Sequence, residues 1–338
     1  MGVTDAYGPN RNGIIFSRSI DIAINTTYVI LTLINFVGNT AIIFLISRHR
    51  QLRTTVNILL LNLSLSDIVG GIGVYPYIFV TNMSSISVNE SHLQMICSLT
   101  EGLSIFFLAS GVGLMTLCAV SFYRYSIIRF PLQAIWTRSK RTVETIIALM
   151  WTLSIVFIAP AAISYRYSQD FDVCKRDWRY VNGDVYRGVT LVVVIIIPIA
   201  FMFLCYISLR RARRKITFRR HSTACRIKMM KRSEKLVALL IANFVLCWAP
   251  FLIYWGMRMF SSQFPDTYDG HTNTLKWVRV TVIFAVVNGS VDPFLLAASS
   301  KEIRNKFKKL IFRMLRVGQT STTVVRFRLK RPARIFTV

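Results

Sequence analysis

The feature that most constrains this chain is a series of apolar runs, each roughly 20 residues long, separated by polar segments that hold most of the charges. Each run is long enough to cross about 30 Å of hydrocarbon as an α-helix. Helices and closed barrels are the structures that satisfy their backbone hydrogen bonds inside a membrane, and no run alternates like a barrel strand. With a mean hydropathy of +0.47 and 17% charged residues, the composition excludes a soluble enzyme, a disordered chain and a coiled coil. The sequence therefore predicts an all-α membrane protein.

The runs number seven and predict a seven-transmembrane-helix bundle. In chain order, spans one to seven cover residues 28–47, 56–80, 102–125, 143–165, 188–209, 235–260 and 277–299. Residues 301–316 alternate basic and apolar side chains at helical spacing, which predicts a short amphipathic helix on the membrane surface. We accordingly divide the chain into an extracellular N-terminus, a membrane domain, a surface helix and a basic cytoplasmic tail, at residues 1–27, 28–299, 300–316 and 317–338.

The basic residues predict how the bundle is oriented. The loops after spans one, three and five, their adjoining span ends and the segment after span seven hold 32 of the 42 Lys and Arg residues, with three acidic residues. The opposite side holds ten basic and ten acidic residues. Because short loops rich in Lys and Arg stay in the cytoplasm, we expect a multi-pass plasma-membrane protein with its N-terminus outside. The high isoelectric point then indicates contact with anionic inner-leaflet lipids rather than with nucleic acid.

Two cysteines lie on the predicted outer side. Cys97 stands at the outer mouth of span three and Cys174 in the loop between spans four and five, so both face an oxidising compartment. A disulfide between them would hold that loop over the bundle. Two free thiols are the alternative.

Three tripeptides on the same side match the pattern for attachment of an N-linked glycan. Asn82 and Asn89 lie in the loop after span two, and Asn25 just precedes span one. They are candidate glycosylation sites. The same pattern also occurs inside spans, where no glycan can be attached, so the tripeptides alone are weak evidence.

Four polar residues are expected inside the membrane. Asp67 in span two and Asp292 in span seven each cost about 3 kcal/mol to insert without a partner or water. With Asn39 in span one and Asn288 one turn before Asp292, they form a candidate sodium site, because hard cations prefer oxygen ligands. The alternative is a buried hydrogen-bond network that fixes helix packing. The spacing does not decide between the two.

Seven short motifs occur in order along these spans. They are Gly38-Asn39, Asn62-Leu63-Ser64-Leu65-Ser66-Asp67, Arg124-Tyr125 followed by Pro131, Trp151, Pro198 followed by Tyr206, Cys247-Trp248-Ala249-Pro250 and Asp292-Pro293. On these motifs the chain resembles the rhodopsin-like (class A) G-protein-coupled receptors from Tyr28 to about Arg316. Within that family, Leu52-Arg53-Thr54-Thr55-Val56-Asn57 and Cys174-Lys175-Arg176-Asp177-Trp178 resemble segments of opsins.

One position departs from the opsin pattern. Opsins bind retinal through a lysine seven residues before the proline of span seven, and this chain has Val286 there, which offers no amine for a Schiff base. Lys276 lies ten residues earlier, about 15 Å along the helix. The resemblance therefore implies a receptor without covalent retinal. An opsin-related photoreceptor that binds retinal noncovalently is the alternative.

The resemblance also implies roles for individual residues. An extracellular ligand would enter among spans three, five, six and seven, and the cytoplasmic ends of spans five and six would separate to admit a heterotrimeric G protein. The expected ligand pocket consists of Phe106, Trp248, Tyr254 and Val286. The expected activation switch consists of Trp248, Pro250, Asp292 and Pro293. Coupling to the G protein is expected at Arg124, Tyr123, Tyr125 and Tyr206.

The chain departs from the family pattern around Arg124. Tyr123 replaces the acidic residue that usually restrains this arginine, and Glu234 is the acid in span six placed to restrain it instead. Leu296 replaces the tyrosine that usually ends the motif of span seven. Loss of the acid before Arg124 should favour the active state, and loss of the tyrosine at Leu296 should disfavour it. The basal activity therefore does not follow from the sequence.

Two departures concern the outer half of the bundle. Phe106 stands where amine receptors have an aspartate, which disfavours a biogenic amine as the ligand. Cys97 precedes Arg124 by 27 residues, two more than the family usually shows. We therefore expect a shift at the outer end of span three.

Other functions are weaker. A channel, pump or transporter also fits seven spans, but the chain shows no internal repeat and only two mid-span acids. No paired carboxylates, metal cluster or nucleophile with a base indicates an enzyme. Apart from a sodium ion no cofactor is expected, and arrestin is a candidate partner for the Thr320 to Thr323 cluster of the tail.

Overall fold

The computed structural model describes residues 18–75, 89–100, 103–130, 139–168, 173–178, 182–218, 224–260, 268–299 and 303–309. Seven helices in this part of the chain are long and apolar enough to cross a membrane, and each coincides with one predicted span. The seven-transmembrane-helix bundle predicted from the apolar runs is therefore confirmed.

Most of the helices extend beyond the apolar runs at one end or both. Spans one to seven comprise, in order, Arg18–Arg48; Thr55–Gly73; Glu90–Thr100 with Ser104–Arg129; Lys140–Ile163; Gly183–Val189, Thr190–Ile196 and Ile197–Phe218; Ala224–Phe260; and Tyr268–Ser299. Residues 18–27, expected to belong to the N-terminal segment, are thus helical. Once a helix is nucleated, each added residue gains a hydrogen bond, so the ladder continues into the polar ends.

A short polar turn joins spans one and two. It contains the 3-10 helix Arg50–Leu52. The hydroxyl of Thr54 accepts a hydrogen bond from the backbone N–H of Asn57 at 3.3 Å and so caps the start of span two. The side chain of Asn57 donates back to the carbonyl of Leu52 at 2.7 Å. The side chains of this turn therefore fix where span two begins.

Span three is interrupted at Leu103. This residue has a φ of 49°, the single positive φ at a non-glycine position in the described part of the chain. It is buried, and its carbonyl accepts the N–H of Phe107 at 2.9 Å, so the lower helix starts from it. The interruption lies between Cys97 and Arg124, the interval in which the sequence predicted a shift. The lower helix then runs without a break to Arg124.

Spans two, three and seven form the inside of the bundle, and spans four and five lie at its periphery. In the most apolar stretch of each helix, 61% of the residues are buried in spans three and seven, against 17% and 11% in spans four and five. Glycines permit close contacts in the interior. A Cβ on Gly73 would lie 2.6 Å from Cγ2 of Ile105, and a Cβ on Gly38 would lie 2.9 Å from Cγ of Pro293.

Several helices contain a proline in the membrane. Pro160, Pro250 and Pro293 lie inside spans four, six and seven. In span five a π-helical stretch, Thr190–Ile196, ends two residues before Pro198. Proline removes a backbone donor and collides with the carbonyl four residues earlier, so each is a place where its helix bends.

A two-stranded antiparallel hairpin follows span four. It consists of β1, Tyr165–Ser168, and β2, Val173–Arg176. Gln94 at the outer end of span three binds it twice. Its amide nitrogen donates to the carbonyl of Tyr165 at 2.7 Å, and its amide oxygen accepts the backbone N–H of Tyr167 at 3.1 Å. The hairpin is therefore attached to span three through its first strand.

A short helix at 303–309 follows span seven, within the predicted surface helix. Ile303 and Phe307 are buried, and the Phe307 ring meets that of Phe294 edge-on with centroids 6.3 Å apart. Lys308 and Lys309 are exposed. The rest of the predicted surface helix and the tail at 317–338 lie outside the described residues.

Candidate functional site

Cys97 and Cys174 form the predicted disulfide, with Cα atoms 5.6 Å apart. The bond links span three to β2 across a sequence separation of 77 residues. Gln94 holds β1 through two hydrogen bonds, so both strands are attached to the same helix. The outer end of the bundle therefore carries a firmly anchored hairpin beside span three.

The three candidate glycosylation sites have different outcomes. Asn89 is exposed and directly precedes the helix Glu90–Thr100, which leaves it accessible. Asn82 lies outside the described residues. Asn25 lies within the first helix and is half-buried, and its glycosylation stays a prediction.

Aromatic rings surround Trp248 in the middle of the bundle. Trp248 stacks on Phe106 of span three, with centroids 5.8 Å apart, and on Phe244 one turn away on its own helix at 5.6 Å. Phe251 meets it edge-on at 5.8 Å, and Phe107 lies at 6.4 Å. Each such pair contributes about 0.5–1.5 kcal/mol beyond burial. The indole is therefore held jointly by spans three and six.

The structure brings three of the four predicted pocket residues together. Val286 is 2% exposed and shares a cavity with Phe106 and Trp248. Tyr254 does not line that cavity and lies nearer the outer end of span six, where it stacks on Trp277 with centroids 6.4 Å apart. Its buried hydroxyl has no hydrogen-bond partner among the described residues. Tyr254 thus carries an unpaired buried hydroxyl outside the cavity, and its role in a ligand pocket stays a prediction.

The intramembrane polar residues gather around Gly289 of span seven. Asn39 donates to the Gly289 carbonyl and to Oδ1 of Asn35, both at 2.9 Å. Asn35 donates to the backbone carbonyl of Asp67 at 3.0 Å. A Cβ on Gly289 would lie 3.2 Å from the carboxyl carbon of Asp67, so spans two and seven touch here. Spans one, two and seven therefore meet at the predicted cluster.

Asn243 of span six joins this network from the other side. Its Nδ2 lies 2.8 Å from Oδ1 of Asp292 and 3.1 Å from both the carbonyl and Oδ1 of Asn288. Its own Oδ1 lies 3.6 Å from the thiol of Cys247, which donates to it. The network therefore extends over spans one, two, six and seven.

A cavity of about 30 Å³ lies beside the network. Asp67, Asn288 and Ser66 line it, whereas Asn39 and Asp292 do not. One oxygen each of Asn39, Asp67 and Asp292 is buried without a hydrogen-bond partner in the described part of the chain. A cavity of this size holds about one or two water molecules, and unpaired carboxylate oxygens suit a hard cation. The four predicted residues thus share one network, and two of them face the cavity.

Three of the four predicted coupling residues lie at the end of span three that was predicted to be cytoplasmic. Arg124 is half-buried, and its Nε is buried without a hydrogen-bond partner in the region described. Tyr123 is 4% exposed and packs into the core, so its side chain is not presented at the surface in this arrangement. Tyr125 is half-buried, with its ring edge-on to Phe130 at 6.2 Å.

Glu234 does not restrain Arg124, contrary to the expectation from the sequence. Its carboxylate instead forms an ion pair with Arg213 at the end of span five, through Nε and, at 3.4 Å, Nη2. Arg210 lies 4.0 Å away. The reason is distance, because span five places the guanidinium groups of two arginines within ion-pair distance of Glu234. Tyr206 lines a cleft of about 200 Å³ with this pair.

Span six is closed against the bundle at this end. Met230 and Val237 are 4% and 1% exposed, although both lie near the end of span six that was predicted to be cytoplasmic. Arg232 is close enough to Arg124 for their charges to interact. The structure therefore has the surface around Arg124 covered by span six.

Three residues of the site were missed in the sequence. Asn35 lies one turn before Asn39, and a second amide at that spacing on one membrane helix was a usable signal. Asn243 lies one turn before Cys247 and is likewise a polar residue in an apolar span. Gly289 contributes a carbonyl and a close approach, which no side-chain pattern reveals.

Known proteins match nearly the whole chain. A sequence profile described as "7 transmembrane receptor (rhodopsin family)" matches residues 38–296. Neuropeptide FF receptor 2 of Mus musculus is 24% identical over 314 residues, which cover 84% of this chain and 71% of that protein. Galanin receptor type 2 of Homo sapiens is 27% identical over 292 residues, covering 84% and 71%. Somatostatin receptor type 2 of Mus musculus is 24% identical over 314 residues, covering 90% and 81%.

Proposed function

Because the chain belongs to the rhodopsin family of seven-transmembrane receptors, we propose that it transmits the signal of an extracellular peptide to a heterotrimeric G protein. The observation that carries the ligand class is the nature of its relatives, which are named as receptors for neuropeptide FF, galanin and somatostatin. The alignments cover 84% of the chain or more, so the likeness includes the outer halves of the spans.

The outer half of the bundle suits a peptide better than a small amine. Phe106 is buried against Trp248, so no carboxylate stands there to pair with an ammonium group. The buried hydroxyl of Tyr254 offers a hydrogen bond to a ligand. The anchored hairpin provides a fixed rim along which an extended chain can bind.

The test is a peptide screen on the full chain expressed in cells, with G-protein dissociation as the readout. We expect at least one peptide to give a saturable response that Arg124→Ala abolishes at equal surface expression. Amines and a lipid extract serve as the competing ligand classes. A response to an amine, with none to any peptide, would overturn the proposed ligand class.

The photoreceptor alternative is not favoured. The reported relatives are peptide receptors by name, and Val286 is a buried valine where covalent retinal needs an amine. Incubation of the purified protein with 11-cis retinal tests the alternative. We expect no absorbance band from bound retinal and no light-triggered activation of a G protein.

For the transmission of the signal we infer a shift between two packings of span six. A ligand that displaces Phe106 removes one of the rings on which Trp248 stacks. Pro250, two residues beyond, allows the helix to bend there. The cytoplasmic half of span six then leaves Arg124, which becomes accessible to the G protein. This is a population shift, so the ligand must bind the open packing more tightly than the closed one.

We further propose that the cavity beside Asp67 takes a sodium ion. Asp67 and Asn288 are the residues that would hold it, since both line the cavity and Asp67 has an unpaired buried oxygen. A bound cation would supply the positive countercharge that this buried carboxylate lacks. Thermal unfolding in sodium, potassium and choline chloride at equal ionic strength tests the site. We expect sodium alone to raise the unfolding temperature, and Asp67→Asn to remove that difference.

The remaining partners follow from the charge distribution. We propose that the N-terminus is extracellular and that the exposed Arg211, Arg214 and Lys215 at the end of span five face anionic lipids of the inner leaflet. Arrestin is proposed as a partner of the tail. Epitope tags at the two ends, stained with and without permeabilisation, test the orientation.

A further inference from the structure

Asn243 is an amide in the apolar middle of span six, five residues before Trp248. A polar side chain at such a depth is costly unless its groups are satisfied. Here both ends of the amide are satisfied. The nitrogen bonds to Asp292 and Asn288 of span seven, and the oxygen accepts the thiol of Cys247.

We propose that Asn243 is the positioning residue that fastens span six to span seven in the closed arrangement, an inference that rests on the proposed receptor function. Its three contacts reach two acceptor residues on the facing helix, at 2.8 Å for Asp292 and 3.1 Å for both oxygens of Asn288. An outward movement of span six separates these atoms. Asn243 therefore favours the closed packing.

The same residue connects the switch of span six to the cluster around Asp67. Asn288 lines the cavity that Asp67 lines, and Trp248 lines it too. Gly289, the next residue, accepts a hydrogen bond from Asn39 and touches Asp67. A change at Asp67 thus reaches Asn243 through two adjacent residues of span seven. The coupling is reciprocal, because opening span six also disturbs the bonds of Asn288.

The size of the effect follows from hydrogen bonds measured between membrane helices. Each changes an equilibrium between two packings by about 3-fold on average, because the separated helices find other partners. Loss of the amide removes contacts to two residues of span seven. The population of the open packing, and with it the basal signal, should rise about 3- to 10-fold.

The experiment compares Asn243→Leu with Thr281→Val in the full chain. Leucine keeps the branched shape and the number of side-chain heavy atoms of asparagine and removes the amide. Thr281 is a matched control because its hydroxyl bonds only to carbonyls of its own helix, those of Trp277 at 2.8 Å and Val278 at 3.2 Å, in the described structure. Basal G-protein activation is read at equal surface expression.

A second readout follows the helices directly. Spin labels replace the exposed Lys231 of span six and Lys140 of span four, and their distance distribution is measured without ligand or G protein. We expect Asn243→Leu to shift this distribution towards longer distances and Thr281→Val to leave it unchanged. An unchanged distribution in Asn243→Leu overturns the inference. A shifted distribution without any G-protein signal supports the inference and counts against the proposed function.

An exchange of the side chains at 243 and 292 distinguishes loss of their contact from loss of folding. Asn243→Asp places a carboxylate against Asp292 and should open the bundle further than Asn243→Leu. Combining it with Asp292→Asn restores a donor and an acceptor in reversed order, and should return the distances towards those of the unchanged protein. If the double variant is as open as Asn243→Asp alone, the contact between the two residues is not the cause.

Discussion

Gly73→Ala is predicted to destabilise the bundle, because the structure leaves no space for a methyl group between spans two and three. The added Cβ would lie 2.6 Å from Cγ2 of Ile105, 2.9 Å from its Cβ and 3.0 Å from the backbone nitrogen of Phe106. The last two atoms cannot turn away without moving span three. Overpacking of this kind costs about 3 kcal/mol, and the better helix propensity of alanine returns about 1 kcal/mol. The net loss of stability is about 2 kcal/mol.

The assay is thermal unfolding of the purified protein in detergent, followed by tryptophan fluorescence. A loss of about 2 kcal/mol should lower the midpoint by about 4–8 °C. Gly256→Ala is the matched control, since a Cβ there meets no heavy atom within 4 Å. That variant should unfold at the same or a slightly higher temperature. Equal midpoints for the two variants would refute the steric argument.

Three further predictions concern contacts between elements. Glu234→Gln removes the ion pair with Arg213, in which both side chains are less than a fifth exposed. The variant should raise basal signalling about 2- to 5-fold in a G-protein assay, and no rise would show that the pair is unimportant for closure. Asn62→Leu removes the amide that donates to the Thr116 hydroxyl at 2.8 Å and accepts the Trp151 indole N–H at 3.1 Å. The variant should lose about 1–2 kcal/mol of stability in thermal unfolding, and a loss no larger than that of Thr281→Val would contradict this. Cys174→Ala should lower the stability by at most about 4.5 kcal/mol, which is the loop-closure entropy calculated for 77 residues. Peptide binding that is unchanged in this variant would show that the hairpin need not be anchored.

The number of helices and the disulfide were predictable because each depends on a one-dimensional pattern. An apolar run of membrane length has few alternatives to a helix, and Cys97 and Cys174 were the cysteines with access to an oxidising compartment. Asp67, Asp292, Asn39 and Asn288 were expected to form either a sodium site or a hydrogen-bond network, and their spacing did not show that they converge. The structure supplies the contact through Gly289, which the spacing alone did not contain.

The partner of Glu234 and the role of Asn243 were not predictable in the same way. Which of several arginines pairs with Glu234 depends on how spans five and six pack, and the pair with Arg213 appears only in the folded bundle. In the sequence Asn243 is an isolated polar residue, and its hydrogen bond to Asp292 is seen only when span seven packs beside span six. The hairpin of β1 and β2 was also absent from the prediction, because its strands are only four residues each and carry no periodic signal.

The interruption at Leu103 has a consequence for how such a molecule diversifies over evolutionary time. In an unbroken helix, each inserted residue rotates everything on one side of it by about 100° relative to the other. An insertion near Cys97 would then turn the ligand-facing rim away from the half that carries Arg124. Because the chain leaves helical geometry at Leu103, the rim tolerates changes in length while the inner half keeps its alignment. Mutation can thus remodel what the outer surface recognises without rebuilding the machinery below it.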